Sequence, residues 1–235
     1  MGEETSTSTS TSTSSEEISA PKIIAFIALL ILVQESALTF IGGVIFQDFL
    51  FGILGIILAI VIFISLKFID LGPVKVPYYW WLTLIFGVLF VVLGWLTTPG
   101  VAGTFGATRP YLGGVLLILA GITEILAEKK NIVYSKFVAI VGAGFAIYES
   151  FNLFILYTAL PVAANAFLIL NGIVGIIAAA ILIILVLDKI DIKIPYEWWV
   201  VLLLAFIVFT WVSAFFAGIG GIVLMIAFLL LILGH

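Results

Sequence analysis

Two stretches of this sequence decide its fold: KIIAFIALLILVQES at residues 22–36 and KFVAIVGAGFAIYES at residues 136–150. Each begins at a lysine, continues as an apolar run, and reaches a glutamate followed by a serine thirteen residues later. Thirteen residues of α-helix span roughly 20 Å, which is about the middle of a ~30 Å hydrocarbon layer. An ionisable group at that depth costs at least ~2.5–3.5 kcal/mol, so it faces protein or water and not lipid. The two stretches therefore predict a duplicated membrane protein with two buried acids.

The composition is that of a polytopic membrane protein. Hydrophobic residues make up 64% of the 235 residues, charged residues make up only 9%, and the mean hydropathy is +1.40. Soluble domains carry about 25% charged residues. The net charge of −4 equals the contribution of the four glutamates before residue 18, so no basic surface for nucleic acid is evident.

The residue inventory excludes several chemistries. The chain has no cysteine, and its one histidine is the last residue, His235. Iron–sulfur clusters, haem with histidine or cysteine ligands, zinc and copper sites, and histidine-assisted nucleophilic catalysis all need residues that this sequence lacks. There is also no P-loop and no intramembrane-protease motif. We therefore expect no catalytic residues, no cofactor and no metal, and we expect that the protein is not an enzyme.

The expected fold class is all-α, a polytopic transmembrane helix bundle of eight spans in two parallel four-helix repeats. Residues 1–20 form a Ser/Thr/Glu-rich tail, which is predicted to be disordered and cytoplasmic. Residues 21–128 contain the first predicted repeat and residues 129–235 the second. The predicted spans are 23–46, 50–66, 78–98, 111–127, 137–158, 165–187, 197–216 and 219–234. A turn is predicted at residues 217–221, where three glycines allow the chain to reverse.

Four motifs recur in the same order in both halves, and this recurrence indicates an internal duplication. They are an acidic motif, a glycine motif, a lysine–proline–aromatic loop and a glycine pair. The matching pairs are QES at 34–36 and YES at 148–150, GILGII at 52–57 and GIVGII at 172–177, KVPYYWW at 75–81 and KIPYEWW at 193–199, and GG at 113–114 and 220–221.

The basic residues predict an orientation in the membrane. With eight spans, one side holds all eight lysines and the other holds only Arg109. By the positive-inside rule the lysine side is cytoplasmic, so we expect a multi-pass protein of the cell membrane with both termini cytoplasmic. Each half has an even number of predicted spans. The two repeats should therefore run parallel, related by an axis along the membrane normal.

Glu35 and Glu149 are the leading candidates for a functional role. On the fifth predicted span, Gly142, Ala146 and Glu149 share one helix face, so Glu149 points into a helix–helix seam or a cavity beside one. If the two acids approach each other near the pseudo-axis, they would form a proton or cation relay or line a pore. The alternative is that both are protonated carboxyl groups that bond neighbouring helices together. The other transport or pore candidates are Gln34, Ser36, Ser150, Asn152 and Asn171.

Two further features are expected at the cytoplasmic interface. Glu124 lies near the end of the fourth predicted span, a few residues before Lys129 and Lys130, and is expected to pair with them or extend to water. The tyrosine and tryptophan residues that open the third and seventh spans are typical of an interfacial aromatic belt.

A four-helix unit with a membrane-embedded glutamate in its first helix, as at Glu35 and Glu149, resembles the small multidrug resistance transporters. That resemblance implies antiparallel units. The lysine distribution here predicts parallel units, so the chain departs from the pattern of that family and we do not assign it there.

The favoured function is a channel or translocation-pore subunit of a larger membrane complex. In this hypothesis both glutamates line a polar path for ions or for a translocated polymer such as DNA or protein. One alternative is a proton-coupled secondary transporter. Another is a non-catalytic scaffold or assembly subunit of a respiratory or secretion complex. The expected partners are the lipid bilayer and the proteins of a membrane complex, with an ATPase among them if a polymer is translocated, and an oligomer is compatible with the sequence.

Overall fold

The architecture is helical in the computed structural model, which describes residues 19–42, 46–67, 78–96, 111–129, 132–159, 165–187, 195–212 and 218–235. These described residues form eight helices and no strand. The helices are α1 (Ala20–Gly42), α2 (Phe46–Ser65), α3 (Trp80–Leu96), α4 (Tyr111–Lys129), α5 (Tyr134–Ala159), α6 (Asn165–Leu187), α7 (Trp198–Ile207, continued by a π-helical turn at Val208–Val212) and α8 (Ile219–Ile232).

Four helices are long and apolar enough to cross a membrane, and they begin the two halves of the chain. They are the segments Ala20–Ile41, Asp48–Ser65, Tyr134–Ile155 and Phe167–Leu187. The other four helices are apolar but shorter. Large apolar side chains are exposed on many helix surfaces, with Ile41 at 79% and Phe167 at 73%. Exposed apolar surface of this extent is unfavourable in water and favourable in lipid, so the helices indicate a membrane protein.

The first two helices differ from their predicted bounds. Helix α1 begins at Ala20, inside the segment predicted as the tail, because Pro21 in the first helical turn has a backbone suited to a helix start. Helix α1 ends at Gly42 and α2 begins at Phe46, each four residues earlier than predicted. Glycine is a common helix terminator, and the apolar pattern used to predict the spans does not register it.

The helices pack in the same order in the two halves. In the first half α1 packs along α2 and α4, and α4 also packs along α3. In the second half α5 packs along α6 and α8, and α8 packs along α7. Among the described residues, no helix of the first half packs extensively on a helix of the second. We refer to α1–α4 as the first bundle and to α5–α8 as the second bundle.

Small residues allow the close contacts inside each bundle. Ala25 and Ala28 on α1, and Ala139 and Ala143 on α5, are fully buried. Small side chains let helix backbones approach closely, which is the usual basis of helix association in lipid. The central helices α1 and α5 therefore each contact two neighbours through an alanine-rich face.

The bundles differ where the second helix meets the third. Helices α2 and α3 contact each other only slightly, whereas the π-helical turn at the end of α7 packs against α5, α6 and α8. Val208 and Val212 in that turn are both buried. A π turn changes the register of a helix, and here it accompanies a tighter contact between α6 and α7.

Several predicted features lie outside the described residues. They are the tail up to residue 18, the loop residues Lys75, Pro77 and Lys193, and Arg109 on the predicted outer side. The predicted turn at residues 217–221 is described only from Gly218. Gly218 has a left-handed backbone (φ 71°) and precedes α8, as a turn glycine does. Gly220 and Gly221 lie within α8 and not in the turn.

Candidate functional site: two glutamate-capped helix starts

The carboxylate of Glu35 binds the start of α4. The Leu112 N–H donates a hydrogen bond to Oε1 over 3.0 Å, and the Gly113 N–H donates one to Oε2 over 2.9 Å. The first N–H groups of a helix have no partner within the helix, and they carry the positive end of its dipole. Glu35 therefore acts as an N-terminal cap for α4, although it belongs to a different helix.

Glu149 occupies the same place in the second bundle. The Gly220 N–H donates a hydrogen bond to its Oε1 over 3.3 Å, and the side chain is only 2% exposed. Glu149 makes a further interaction as well. Gly218, the residue before α8, supplies no side-chain cap. The start of α8 is thus capped by an acid from α5, as α4 is capped by an acid from α1.

The first glycine of each glycine pair brings the helix start within reach of its acid. A Cβ on Gly113 would lie 2.8 Å from the Leu32 Cα, and a Cβ on Gly220 would lie 2.8 Å from the Ala146 nitrogen. Leu32 and Ala146 each stand three residues before the glutamate of their helix. The absence of a side chain lets each short helix begin directly against the backbone of α1 or α5.

The second glycine of each pair contacts the third helix of its bundle. A Cβ on Gly114 would lie 2.9 Å from the Gly87 carbonyl oxygen of α3. A Cβ on Gly221 would lie 2.7 Å from the Phe209 Cα in the π turn of α7. Each glycine pair is therefore wedged between two helices. Any side chain at these four positions would push the helix start away from its glutamate.

The serine after each glutamate packs on the second helix of its bundle. Ser36 and Ser150 are fully buried, and their hydroxyl groups occupy the space that a Cβ on Gly55 or Gly175 would need. The Ser150 hydroxyl donates to the Ala146 carbonyl oxygen over 2.7 Å. The Ser36 hydroxyl has no hydrogen-bond partner among the described residues. Three of the motifs matched from sequence therefore meet at one place in each bundle: the acidic motif, the glycine motif and the glycine pair.

The remaining polar candidates are more scattered. Gln34 is exposed on α1, and Asn152 is half-buried on α5. Asn171 is 8% exposed on α6, beside Gly172, whose own neighbours include Phe154 and the Ser150 carbonyl oxygen. The structure therefore brings Glu35 with Ser36, and Glu149 with Ser150, to the contacts between helices. Gln34 faces away from these contacts.

An electrostatic interaction between two phenols links the bundles close to both caps. The phenol of Tyr111 lies near enough to that of Tyr148 for the two to interact electrostatically. Tyr111 immediately precedes Leu112, which donates to Glu35, and Tyr148 immediately precedes Glu149. The two capped helix starts are therefore adjacent in sequence to a point where the bundles meet.

The opposite end of each bundle carries a half-buried tyrosine from the proline–aromatic loop, Tyr78 in the first bundle and Tyr196 in the second. Burial raises the pKa of Tyr196 to about 12, and the nearby Ser135 hydroxyl opposes that rise in part. Burial also raises the pKa of Tyr78 above its usual range, and the adjacent Glu124 carboxyl adds to the effect. The Lys136 Nζ lies 5.6 Å from the centroid of the Tyr196 ring, within the range of a cation–π contact. These tyrosines therefore remain neutral phenols at physiological pH.

Glu124 lies beside Tyr78, a neighbour that the sequence did not suggest. The predicted pairing of Glu124 with Lys129 and Lys130 involves side chains outside the described part of the chain. Tyr79 and Trp81 stack with ring centroids 5.8 Å apart, and Trp198 and Trp199 are exposed. Within the described ranges, no group of three or more histidine, cysteine, aspartate or glutamate residues lies close enough to hold a metal ion.

No family model matches this chain, and no curated protein or solved structure is detectably similar to it. Function therefore has to be inferred from the residues and their contacts.

Proposed function

We propose that this chain is a non-catalytic scaffold or assembly subunit of a larger membrane complex. In this proposal it crosses the cell membrane eight times as two parallel four-helix units. The observation that carries the proposal is that each of the two acids, Glu35 and Glu149, binds the start of the last helix of its own bundle. The acids thus hydrogen-bond α1 to α4 and α5 to α8, and bonding between helices is the role that the scaffold hypothesis assigns to them.

The energetics of the capped helix starts support this role. Glu35 lies fifteen residues after the start of α1, which is about 22 Å along the helix axis and still within the apolar layer. A backbone N–H left without a partner in hydrocarbon costs several kcal/mol. A carboxylate that accepts two such N–H groups removes that cost and interacts favourably with the helix dipole.

The matching neighbours of the helices support the repeat itself, and its parallel sense is supported by the even number of helices, four, in each bundle. The first and fifth helices each pack against the second and fourth helices of their bundle, and each caps the fourth. The cytoplasmic location of both termini is supported by the lysine distribution alone. Cysteine labelling tests it cleanly, because the chain has no native cysteine. A Ser10→Cys variant should resist an impermeant maleimide in intact cells. Labelling of that cysteine from outside would show that the N-terminus is extracellular and would contradict the predicted orientation.

A pore subunit is the second candidate, and one observation favours it. The bundles pack little on each other among the described residues, and Tyr111 and Tyr148 interact electrostatically across their boundary. A water-filled path between the bundles would run beside these phenols and close to both glutamates. Such a path suits ions or a polymer driven by a partner ATPase.

Reconstitution separates these functions. Purified protein in liposomes should give no proton or ion flux above protein-free vesicles if the scaffold proposal is correct, and the Glu35→Gln/Glu149→Gln variant should still assemble into the native complex on a native gel. Flux that is abolished by the double variant would favour the pore. Flux of a solute that is driven by a pH gradient and lost in the same variant would favour the proton-coupled transporter.

A further inference from the structure

Glu35 differs from Glu149 in its access to the surroundings of the protein. The Glu35 side chain is partly exposed, whereas Glu149, at the matching place in the second bundle, is only 2% exposed. Glu35 lies within the segment Ala20–Ile41, which is long and apolar enough to cross a membrane. An acid at such a depth faces protein or water and not lipid. The exposed part of the Glu35 side chain therefore has to meet water or another protein.

The hydrogen-bonding capacity of the Glu35 carboxylate favours water. An ionised carboxylate can accept about four hydrogen bonds, two at each oxygen. The Leu112 N–H uses one position on Oε1, and the Gly113 N–H uses one position on Oε2. The remaining lone pairs need donors, and water supplies donors wherever such a group is exposed. The site is therefore complete with water alone and needs no side chain from a partner protein.

The burial of α1 shows from which side water enters. Toward the start of α1, the side chains of Ile24, Ala28 and Leu32 are completely buried, and α1 packs there between α2 and α4. The described residues of this seam thus close the approach to Glu35 from the lysine side. In the other direction α1 ends only seven residues after Glu35, at Gly42, which is about 10 Å farther along the helix axis. The short route to Glu35 therefore starts at the predicted outer face.

The chemistry at the end of this route suits small cations. A carboxylate surrounded by apolar side chains attracts a positive charge more strongly than the same group does in bulk water. Divalent cations usually bind several oxygen ligands at once, so a single carboxylate suits hydronium or another monovalent cation better.

We propose that the first bundle contains a water-filled crevice that opens to the outer face, ends at the Glu35 carboxylate and admits small monovalent cations. The second bundle does not share it, because Glu149 is enclosed by protein. This inference rests on the proposed orientation in the membrane, but it is independent of the scaffold role.

Chemical modification of the acids in intact cells tests the access to Glu35. A membrane-impermeant quaternary ammonium carbodiimide, supplied with an amine, should convert Glu35 to an amide roughly tenfold more than Glu149, which only local opening exposes. Glu197 is the control for sidedness, because it is exposed on the predicted cytoplasmic side and should react only after permeabilisation. Mass spectrometry of the purified chain measures all three positions.

The other outcomes of this experiment overturn the proposal in distinguishable ways. Reaction of Glu197 in intact cells would show that the proposed orientation is wrong. Reaction of Glu35 with a lipid-soluble carbodiimide alone would show that it faces lipid. Reaction of Glu35 only after purification in detergent would show that another protein covers it in the membrane. Equal reaction of Glu35 and Glu149 would show that no crevice distinguishes the bundles.

The charge preference of the crevice tests the role of the carboxylate. Tyr111 is partly exposed and immediately precedes Leu112, so Tyr111→Cys places a single thiol beside Glu35 in a chain without native cysteine. Cationic and anionic methanethiosulfonates are compared, each relative to its rate with a free thiol. The cationic reagent should react faster, and this preference should fall severalfold in Tyr111→Cys/Glu35→Gln.

Leu116→Cys is the matched control on the same helix, because Leu116 is completely buried and a thiol there should react with neither reagent. No reaction at Tyr111→Cys, or equally fast reaction at Leu116→Cys, would refute the crevice. A charge preference that is unchanged by Glu35→Gln would refute the role of the carboxylate.

Discussion

In both bundles the last helix starts inside an apolar layer, and in both a glutamate from the first helix of the bundle binds that start. The surroundings of the two glutamates differ. Glu35 is partly exposed and accepts two hydrogen bonds of 2.9 and 3.0 Å from α4. Glu149 is almost completely buried, and the Gly220 N–H lies farther from it, at 3.3 Å. The second cap also has the π turn of α7 packed nearby. On these contacts we expect the first bundle to rely more on the acid itself and the second to rely more on packing around it.

The constant parts of the two caps show which features the helix start requires. Both have a glutamate, a serine after it, and a glycine pair that begins the capped helix. Phe90 and Val208, which stand at matching places in α3 and α7, differ in size, and among the described residues only α7 ends in a π turn. The acid and the glycine pair are therefore the shared mechanism, while the packing around them has diverged. Four sets of variants test this comparison.

Removing the acids should have the largest effect. Glu35→Leu leaves the N–H groups of Leu112 and Gly113 without an acceptor, and each buried unsatisfied group costs about 1–3 kcal/mol. We expect a loss of roughly 2–5 kcal/mol in the free energy of unfolding. Glu149→Leu leaves one such group, the Gly220 N–H, without its acceptor, so from that group alone we expect a smaller loss of unfolding free energy than for Glu35→Leu. Thermal unfolding in detergent measures both, with Gln34→Leu as the exposed neighbouring control.

An effect of Glu149→Leu equal to or greater than that of Glu35→Leu would reverse the comparison. It would mean that the further interaction of Glu149 contributes more than the second N–H donor does at Glu35. Wild-type stability of Glu35→Leu would contradict the capping role itself.

Filling the glycine pairs should have the next largest effect, and an equal one in both bundles. Gly113→Ala and Gly220→Ala each place a Cβ about 2.8 Å from backbone atoms, which cannot move aside as a flexible side chain can. Overpacking of this kind costs about 1–3 kcal/mol. Gly144→Ala is the matched control, because no atom lies within 4 Å of its added Cβ. We expect that variant to be neutral or slightly stabilised in the same thermal unfolding assay.

Conversion of the acids to amides should lower the free energy of unfolding by less, and the ratio between the two bundles should be larger than for the leucine variants. Glutamine offers one acceptor oxygen where glutamate offers two, and it lacks the charge that interacts with the helix dipole. Glu35→Gln should cost about 1–2 kcal/mol and Glu149→Gln under about 1 kcal/mol. Their effects should add, since the two caps belong to different bundles. A strong deviation from additivity in the double-mutant cycle would indicate a shared polar path between the acids.

The smallest effect concerns the half-buried tyrosines, Tyr78 and Tyr196, at the other end of the bundles. The pKa of Tyr196 rises from 10.0 to about 12 on burial, so folding favours the neutral phenol. Above pH 10 the unfolded chain releases this proton while the folded chain keeps it, so stability should fall between pH 10 and 12. Tyr196→Phe should flatten that part of the stability curve. Tyr78→Phe should do the same in the first bundle, because the pKa of Tyr78 is also raised. Curves that match the wild type would show that neither phenol is protected in the fold.

Sequence reasoning predicted the helical class, the positions of most helices and the motifs that meet at the caps. It did not predict that Glu35 contacts Gly113, because helical periodicity identifies a buried face but not the helix that covers it. The contact depends on where α4 begins relative to α1, and apolar composition does not mark a helix start inside lipid. The signal that could have indicated it is the recurrence of an acid and a glycine pair in both halves, Glu35 with Gly113 and Glu149 with Gly220.

The π turn of Val208–Val212 shows a different limit. Its sequence, VFTWV, contains neither proline nor glycine, and nothing in it distinguishes a π turn from continued α-helix. The Thr210 hydroxyl donates to the Phe206 carbonyl oxygen over 2.8 Å, which is equally compatible with an ordinary helix. The turn packs against α5, α6 and α8, and packing between distant helices is absent from any local sequence pattern.

The capped helix starts impose an order on how the protein is made. The acceptor at Glu35 emerges from the ribosome first, and its donors at Leu112 and Gly113 follow 77 and 78 residues later. During that interval the acid has no helix start to bind, and α4 cannot settle at its final depth until α1 is beside it. Each bundle therefore closes only when its last helix arrives, and the first bundle can be complete before the second has begun. During synthesis the two bundles are therefore completed one after the other, each when its glycine pair has been made and its last helix can bind the glutamate.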